Sequence, residues 1–235
     1  MIERLRKHQH LALLAVLLLV LIAQPLVAHE SRAARVAFEL LFGLALVATL
    51  FTVFERRKRR LAALLMIVLL ALTVTEQVAA ARWFTLASVG YHVSLALFVG
   101  YAVGVLVRDI FRHRSIGFDD ILGAFAGYIL LGVAWGNLYA MVELLAPGAF
   151  SVSPEIRWQL EDWHLRRALF NYLSFTTMAS LGYNDITPAA PIANTLTWIE
   201  VMTAQFYLAV VIAQIVGLKL AQAIAPGGRD GPGVG

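Results

Sequence analysis

The chain has 235 residues, 60% hydrophobic and 14% charged, with a mean hydropathy of +0.75, where a soluble domain carries about 25% charged residues. Such a composition marks an integral membrane protein and leaves no polar block large enough to fold alone as a sensor or catalytic domain. The lack of cysteine removes disulfides, thiolate chemistry and cysteine-based metal sites, and the net charge of +4 lies beside apolar runs, which argues membrane orientation over nucleic-acid binding.

A membrane crossing needs about 20 mainly apolar residues, and six segments qualify, at about 11–28, 35–54, 61–80, 84–107, 120–146 and 195–218. The start MIERLRKHQH, with its apolar run and PLVA, also has the layout of a secretory signal cleaved after Ala28. Leu26 at the −3 position breaks the small-x-small rule, however, and the run is long enough to cross, so it is read as the first span. Lys and Arg collect on the cytoplasmic side of membrane proteins. Thirteen of the nineteen sort to one side: Arg4, Arg6, Lys7, the five in the ERRKRR block, Arg108, Arg112, Arg114, Lys219 and Arg229. Arg32, Arg35, Arg82, Arg157, Arg166 and Arg167 fall in the external loops, and both termini are expected in the cytoplasm.

A voltage sensor needs a ladder of basic residues in its fourth span, because each moved charge supplies only about 2.3 kcal/mol per 100 mV. The fourth span here, FTLASVGYHVSLALFVGYAVGVLV, has none. Residues 1–115 are therefore expected to be four transmembrane helices without an Arg-rich voltage-sensing helix, with Arg108, Arg112 and Arg114 as interfacial anchors. Ionisable residues inside spans are functional candidates, and Glu39, His92 and Glu200 qualify. Glu39 has no partner that the sequence identifies. Histidine changes charge near neutral pH, so His92 is either a proton-sensitive group or a buried neutral ring bonded to a carbonyl. Glu200, near the outer end of the last span, is placed to support the preceding loop.

A seventh apolar run, LRRALFNYLSFTTMAS at 165–180, is too short to cross and reads as a re-entrant helix over about 166–179. It leads into LGYNDITP, polar and glycine-bearing, and irregular backbone is tolerated at membrane depth only where protein buries it or a water-filled path lies beside it. The carboxyl end of such a helix carries about half a negative charge and favours a cation.

Taken in order, ILGAFAGYILLGVAWGNLYAMVELLAPGAF, then YLSFTTMASLGYNDITP, then TWIEVMTAQFYLAVVIAQIVGL cover about residues 121–218. This segment resembles the pore domain of the potassium-channel superfamily, in particular the small prokaryotic six-span ion-channel proteins. The resemblance rests on SF-x-T, the filter and D-I-T-P lying in order between two spans. It implies an all-α membrane protein with six transmembrane helices plus one re-entrant pore helix and filter loop. It further implies a homotetramer in the cell membrane, a pore domain over 116–222 and a disordered Gly- and Pro-rich tail over 223–235. The implied activity is passive conduction of K+, with no enzymatic step and no organic cofactor. The implied partners are further copies of the chain, lipid and monovalent cations, and not nucleic acid.

Carried over by position, the carbonyls of Ser180, Leu181, Gly182 and Tyr183 line the filter, with the Ser180 hydroxyl as the innermost ligand. The family pattern is Thr-Val/Leu-Gly-Tyr-Gly-Asp, and two positions depart from it. Ser180 lacks the methyl that fixes a threonine rotamer. Asn184 replaces the second glycine, at a left-handed position that costs an L-residue about 1–2 kcal/mol, although Asn tolerates it best. The outer mouth is then either intact and potassium-selective, or dilated, giving a weakly selective monovalent cation channel.

Asp185 takes the place of an acid that commonly braces the filter from behind. Thr176 stands where some relatives carry a partnering Glu, and Tyr172 and Leu173 stand where a Trp pair is usual. The brace therefore uses Tyr172 or is weak, unless Asp185 is simply a mouth carboxylate that concentrates cations. Thr177 belongs to the same supporting turn. On the inner helix, Ala204 replaces a hinge glycine and disfavours bending, while Gln205 is placed near the cavity below the filter. Gln205 and Gln214, nine residues apart on a helix, point to opposite sides, so at most one faces a pore. A secondary transporter with a broken helix is the alternative from another class. Such transporters show paired interruptions in two repeated halves, where this chain has one. An intramembrane enzyme would need a Ser/His, paired-Asp or HExxH constellation, which the sequence lacks.

Overall fold

A computed structural model of the chain describes residues 9–27, 32–53, 60, 62–64, 66–68, 71, 81–112, 117–182 and 185–224. Its long helices are α1 (Gln9–Val27), α2 (Arg32–Val53), α3 (Ala81–Arg112), α4 (Phe118–Leu145), α5 (Trp163–Met178) and α6 (Pro191–Ile224). The third predicted span, 61–80, lies mostly outside the described residues, and those described between 60 and 71 are helical. Among the described residues, three helices are long and apolar enough to cross a membrane: Leu86–Asp109, Phe118–Leu145 and Pro191–Gln222. Helices α1 and α2 occupy the first two predicted spans with shorter apolar stretches, His10–Gln24 and Leu41–Val53.

Local chemistry explains where the helices begin and stop. The first turn of α4 carries Asp119 and Asp120 at the positive end of the helix dipole, and Asp120 Oδ2 accepts from the Gly117 amide at 2.8 Å. Pro191 opens α6 at the position where a missing amide hydrogen costs nothing, which moves the start four residues ahead of the expected 195. The same helix runs through Ile224, past the expected boundary at 222, over the run of good helix formers LKLAQAI. Residues 225–235 of the expected tail lie outside the described residues.

The expectation of a purely helical chain needs one correction. Between α4 and α5 run β1 (Phe150–Val152) and a 3-10 turn (Arg157–Leu160), and β2 (Ile186–Pro188) precedes α6. The two strands pair antiparallel with Phe150 opposite Pro188, Ser151 opposite Thr187 and Val152 opposite Ile186. Chain that has left a helix still has to satisfy its backbone polar groups, and this ribbon does so.

Two larger apolar clusters hold the helices together, and a small third one around Ala124 and Val211 joins α4 to α6. The first joins α1 to α4 through Leu13, Leu17, Phe38, Leu46, Phe98 and Leu130, so the 1–115 and 116–222 segments share one core. The second seats α5 on α4 and the ribbon, with edge-to-face ring pairs Tyr139–Phe150 at 5.3 Å and Phe150–Phe170 at 5.1 Å. Helix α4 brings its glycines to α5. A Cβ at Gly132 would overlap the Phe175 ring, and one at Gly136 would lie 2.9 Å from Asn171 Cα. Missing side chains thus let two helices approach closely, as small residues do inside membranes. Helix α6 is different in kind: only 11% of its apolar window is buried, against 56% for α3 and 50% for α4.

Gly132→Ala and Gly136→Ala should each lower stability by about 1–3 kcal/mol through overpacking, seen as a lower thermal midpoint in detergent. Gly104→Ala, with nothing within 4 Å of the added carbon, should leave the midpoint unchanged or raise it.

Candidate functional site

Helix α5 is 16 residues long and stops inside the fold. It starts three residues before the expected 166 because Asp162 caps it: the Asp162 carboxylate accepts from the Leu165 amide at 3.2 Å, and its carbonyl accepts from the Arg166 amide at 2.9 Å. The sequence carries this capping signal, an Asp directly ahead of the apolar run.

Polar contacts from three sides fix α5. On the α1 side, Asn171 Nδ2 donates to Gln24 Oε1 at 2.8 Å. Towards α2 and α3, the buried Arg167 guanidinium lies over the Phe42 ring at 4.6 Å and the Tyr91 ring at 5.8 Å. Arg167 falls on the re-entrant helix expected over about 166–179, and its place on a buried face follows from a planar cation that stacks on aromatic rings while its stem packs against apolar surface. On the α4 and α6 side, the Ser174 hydroxyl meets the Gly132 carbonyl at 2.8 Å and Glu200 Oε1 at 2.5 Å, while the Tyr139 hydroxyl contacts Glu200 Oε2. Glu200, expected near the outer end of α6, is fully buried there. Tyr128 donates to the Met178 carbonyl at 3.3 Å, at the last residue of α5.

The carboxyl end of α5 closes in a defined way. Ser180 N–H donates to the Thr177 carbonyl and Leu181 N–H to the Thr176 carbonyl, both at 3.0 Å. This pair of bonds is a Schellman cap, whose turning residue takes the left-handed conformation that glycine usually supplies. Here that residue is Ser180, with φ 55°, and Gly182 follows with φ 89°. Left-handed backbone therefore alternates at 180 and 182. Ser180, Leu181 and Gly182 are exposed on the single chain, Leu181 by 76%. Tyr183 and Asn184, the remaining residues of the expected filter and its mouth, lie outside the described residues. The chain is held again at Asp185, whose carbonyl accepts from the Ser153 amide at 2.9 Å.

The supporting residues are arranged around this loop. Tyr172 and Asp185 line one crevice of about 470 Å³, together with Leu21, Gln24, Gln159 and Phe175. Thr176 and Thr177 direct their hydroxyls back along their own helix, Thr176 to the Tyr172 and Leu173 carbonyls at 3.0 and 2.9 Å, and Thr177 to Leu173 at 2.7 Å. Gln205 Nε2 reaches the Ser180 hydroxyl at 3.5 Å, and Ala204 beside it is fully buried. Among the described residues no cluster of His, Asp and Glu side chains is placed to hold a metal ion.

Away from the loop, His92 of α3 and Asn137 of α4 form a reciprocal pair, with Nδ1 to Oδ1 at 2.6 Å and Asn137 Nδ2 to the His92 carbonyl at 2.7 Å. The amide nitrogen must donate to a carbonyl, so Asn137 Oδ1 accepts and His92 Nδ1 carries the hydrogen. The Glu39 side chain lies outside the described residues. Comparison of the chain with protein-family models, curated proteins and solved structures finds no match.

Ser180→Gly should relieve a backbone cost of about 1–2 kcal/mol and raise the thermal midpoint, whereas Ser180→Val, β-branched at positive φ, should lower it. Arg167→Gln should lose the stacking worth about 0.5–2 kcal/mol, with Arg167→Lys recovering part of the loss in the same unfolding measurement.

Proposed function

We propose that the chain is one subunit of a homotetrameric, potassium-preferring channel of the potassium-channel superfamily, conducting K+ passively across the cell membrane. The observation that carries this reading is the end of α5. A short buried helix, tied to α1, α2, α3, α4 and α6, delivers an exposed loop with alternating left-handed backbone at Ser180 and Gly182. Left-handed residues at alternate positions turn successive carbonyls towards one side, which is what a carbonyl-lined filter requires.

One such strand cannot enclose an ion. Four copies around an axis would convert the carbonyls of Ser180, Leu181, Gly182 and Tyr183 into rings of four. The bare flank of α6 beside Ser180 supports that assembly, since a helix so apolar and so little buried needs cover from lipid or from other copies. With no Lys or Arg between Arg82 and Arg108 in α3, the ladder of charge that steep voltage dependence acts on is missing from this helix. The cytoplasmic placement of both termini follows from the distribution of basic residues.

One observation favours a second reading, a weakly selective monovalent cation channel. Gln205 holds the Ser180 hydroxyl at only 3.5 Å, a loose grip on the innermost ligand.

The reversal potential of the purified protein in planar bilayers, with potassium on one side and sodium on the other, tests the proposal. A value near the potassium limit is expected. A value near zero that moves to that limit in Asn184→Gly would establish the weakly selective channel, and no current from inserted protein would refute both. In detergent the subunit count should be four.

A further inference from the structure

Where α4, α5 and α6 meet, an ionised Glu200 would leave the two oxygen contacts of the Ser174 hydroxyl to share one hydrogen. Glu200, Ser174 and Tyr139 are each fully buried within one chain, so their surroundings do not depend on how chains assemble. The Ser174 hydroxyl has a single hydrogen and stands 2.8 Å from the Gly132 carbonyl and 2.5 Å from Glu200 Oε1. A carbonyl can only accept, and a carboxylate can only accept. If Ser174 donates to Gly132, an ionised Glu200 would set one acceptor against another.

A hydrogen on Glu200 Oε1 removes the conflict. Glu200 then donates to Ser174, Ser174 donates to Gly132, and Tyr139 donates to Glu200 Oε2, with one hydrogen in each contact. The charges nearby point the same way. The groups facing Glu200 are Tyr139 and Tyr128 on α4 and Ser174 on α5, and among the described residues no basic side chain forms an ion pair with it. A buried carboxylate without a counter-charge is strongly disfavoured.

We propose that Glu200 is held as a neutral carboxylic acid and that its proton is the link joining α6 to α5. Resting on the channel reading above, this makes Glu200 a positioning residue: it ties the helix that carries Gln205 to the helix whose end delivers Ser180. Loss of the proton would place a charge in an apolar junction and turn the Ser174 hydroxyl from the Gly132 carbonyl to the carboxylate, so that the Ser174 bond holding α5 to α4 is given up.

Infrared difference spectroscopy of the whole protein at neutral pH tests the proton directly and needs no current. Wild type minus Glu200→Gln should show the carbonyl band of a protonated carboxyl group, and its replacement by carboxylate bands would overturn the proposal. Should Glu200→Gln fail to fold, Ser174→Ala and Tyr139→Phe each remove one bond to the acid and should each shift that band; unchanged spectra in both would overturn it equally. Bilayer current recorded while pH is raised should change where the band is lost, and an unaltered current through that loss would overturn the coupling. A protonated Glu200 in a protein that passes no ions would instead refute the channel reading and leave the assignment of the proton standing.

Discussion

A helix that stops among apolar neighbours has to find partners for the backbone groups its ends leave open. Everything around α5 answers that constraint. Asp162 takes the amides at its start, the turn through Ser180 and Leu181 takes two carbonyls at its finish, and Tyr128 takes a third. Side-chain bonds to Gln24, Gly132 and Glu200 then fix how deep the helix sits. The left-handed backbone at Ser180 is a consequence of this closure. The loop beyond it leaves the helix in a direction set by the cap, and the ribbon at Asp185 and Ile186 receives the chain on its return.

The helices that precede the proposed pore segment are part of the same arrangement. Phe42 of α2 and Tyr91 of α3 receive the Arg167 cation, and Gln24 of α1 receives Asn171. A division of the chain at residue 115 describes its sequence pattern better than its packing, because the larger apolar cluster crosses that line. A change in α1, α2 or α3 therefore has a direct route to α5, through three named contacts and without passing through α4.

Apolar run length makes most of the helices legible in the sequence, and the shortness of one run sets α5 apart from the longer apolar helices. Polar and glycine-bearing residues after it marked the loop. What the sequence hid were contacts between residues far apart in the chain. Tyr139 lies 61 positions from Glu200 and Ser174 lies 26 from it, and no local pattern reports such a meeting. Arg167 falls on the expected re-entrant helix, but the aromatic rings that accept its cation come from two other helices, which no local pattern reports. The ribbon was invisible for a related reason: strands of three residues carry no periodicity long enough to read. Asp162 is the exception, a cap that the local sequence does report.

The glycines of α4 also set the stiffness of the assembly. Side chains at an interface can change rotamer and let two helices slide, whereas backbone lying against backbone has no such freedom. At Gly136 the α5 main chain lies where a side chain would begin, and at Gly132 the bare carbonyl is open to Ser174. Helix α5 thus has few soft degrees of freedom where its main chain meets Gly136, while at Gly132 the Phe175 ring lies against bare backbone. The position of its last turn is fixed by covalent geometry more than by packing, much as a machined seat locates a part better than a compressible gasket does.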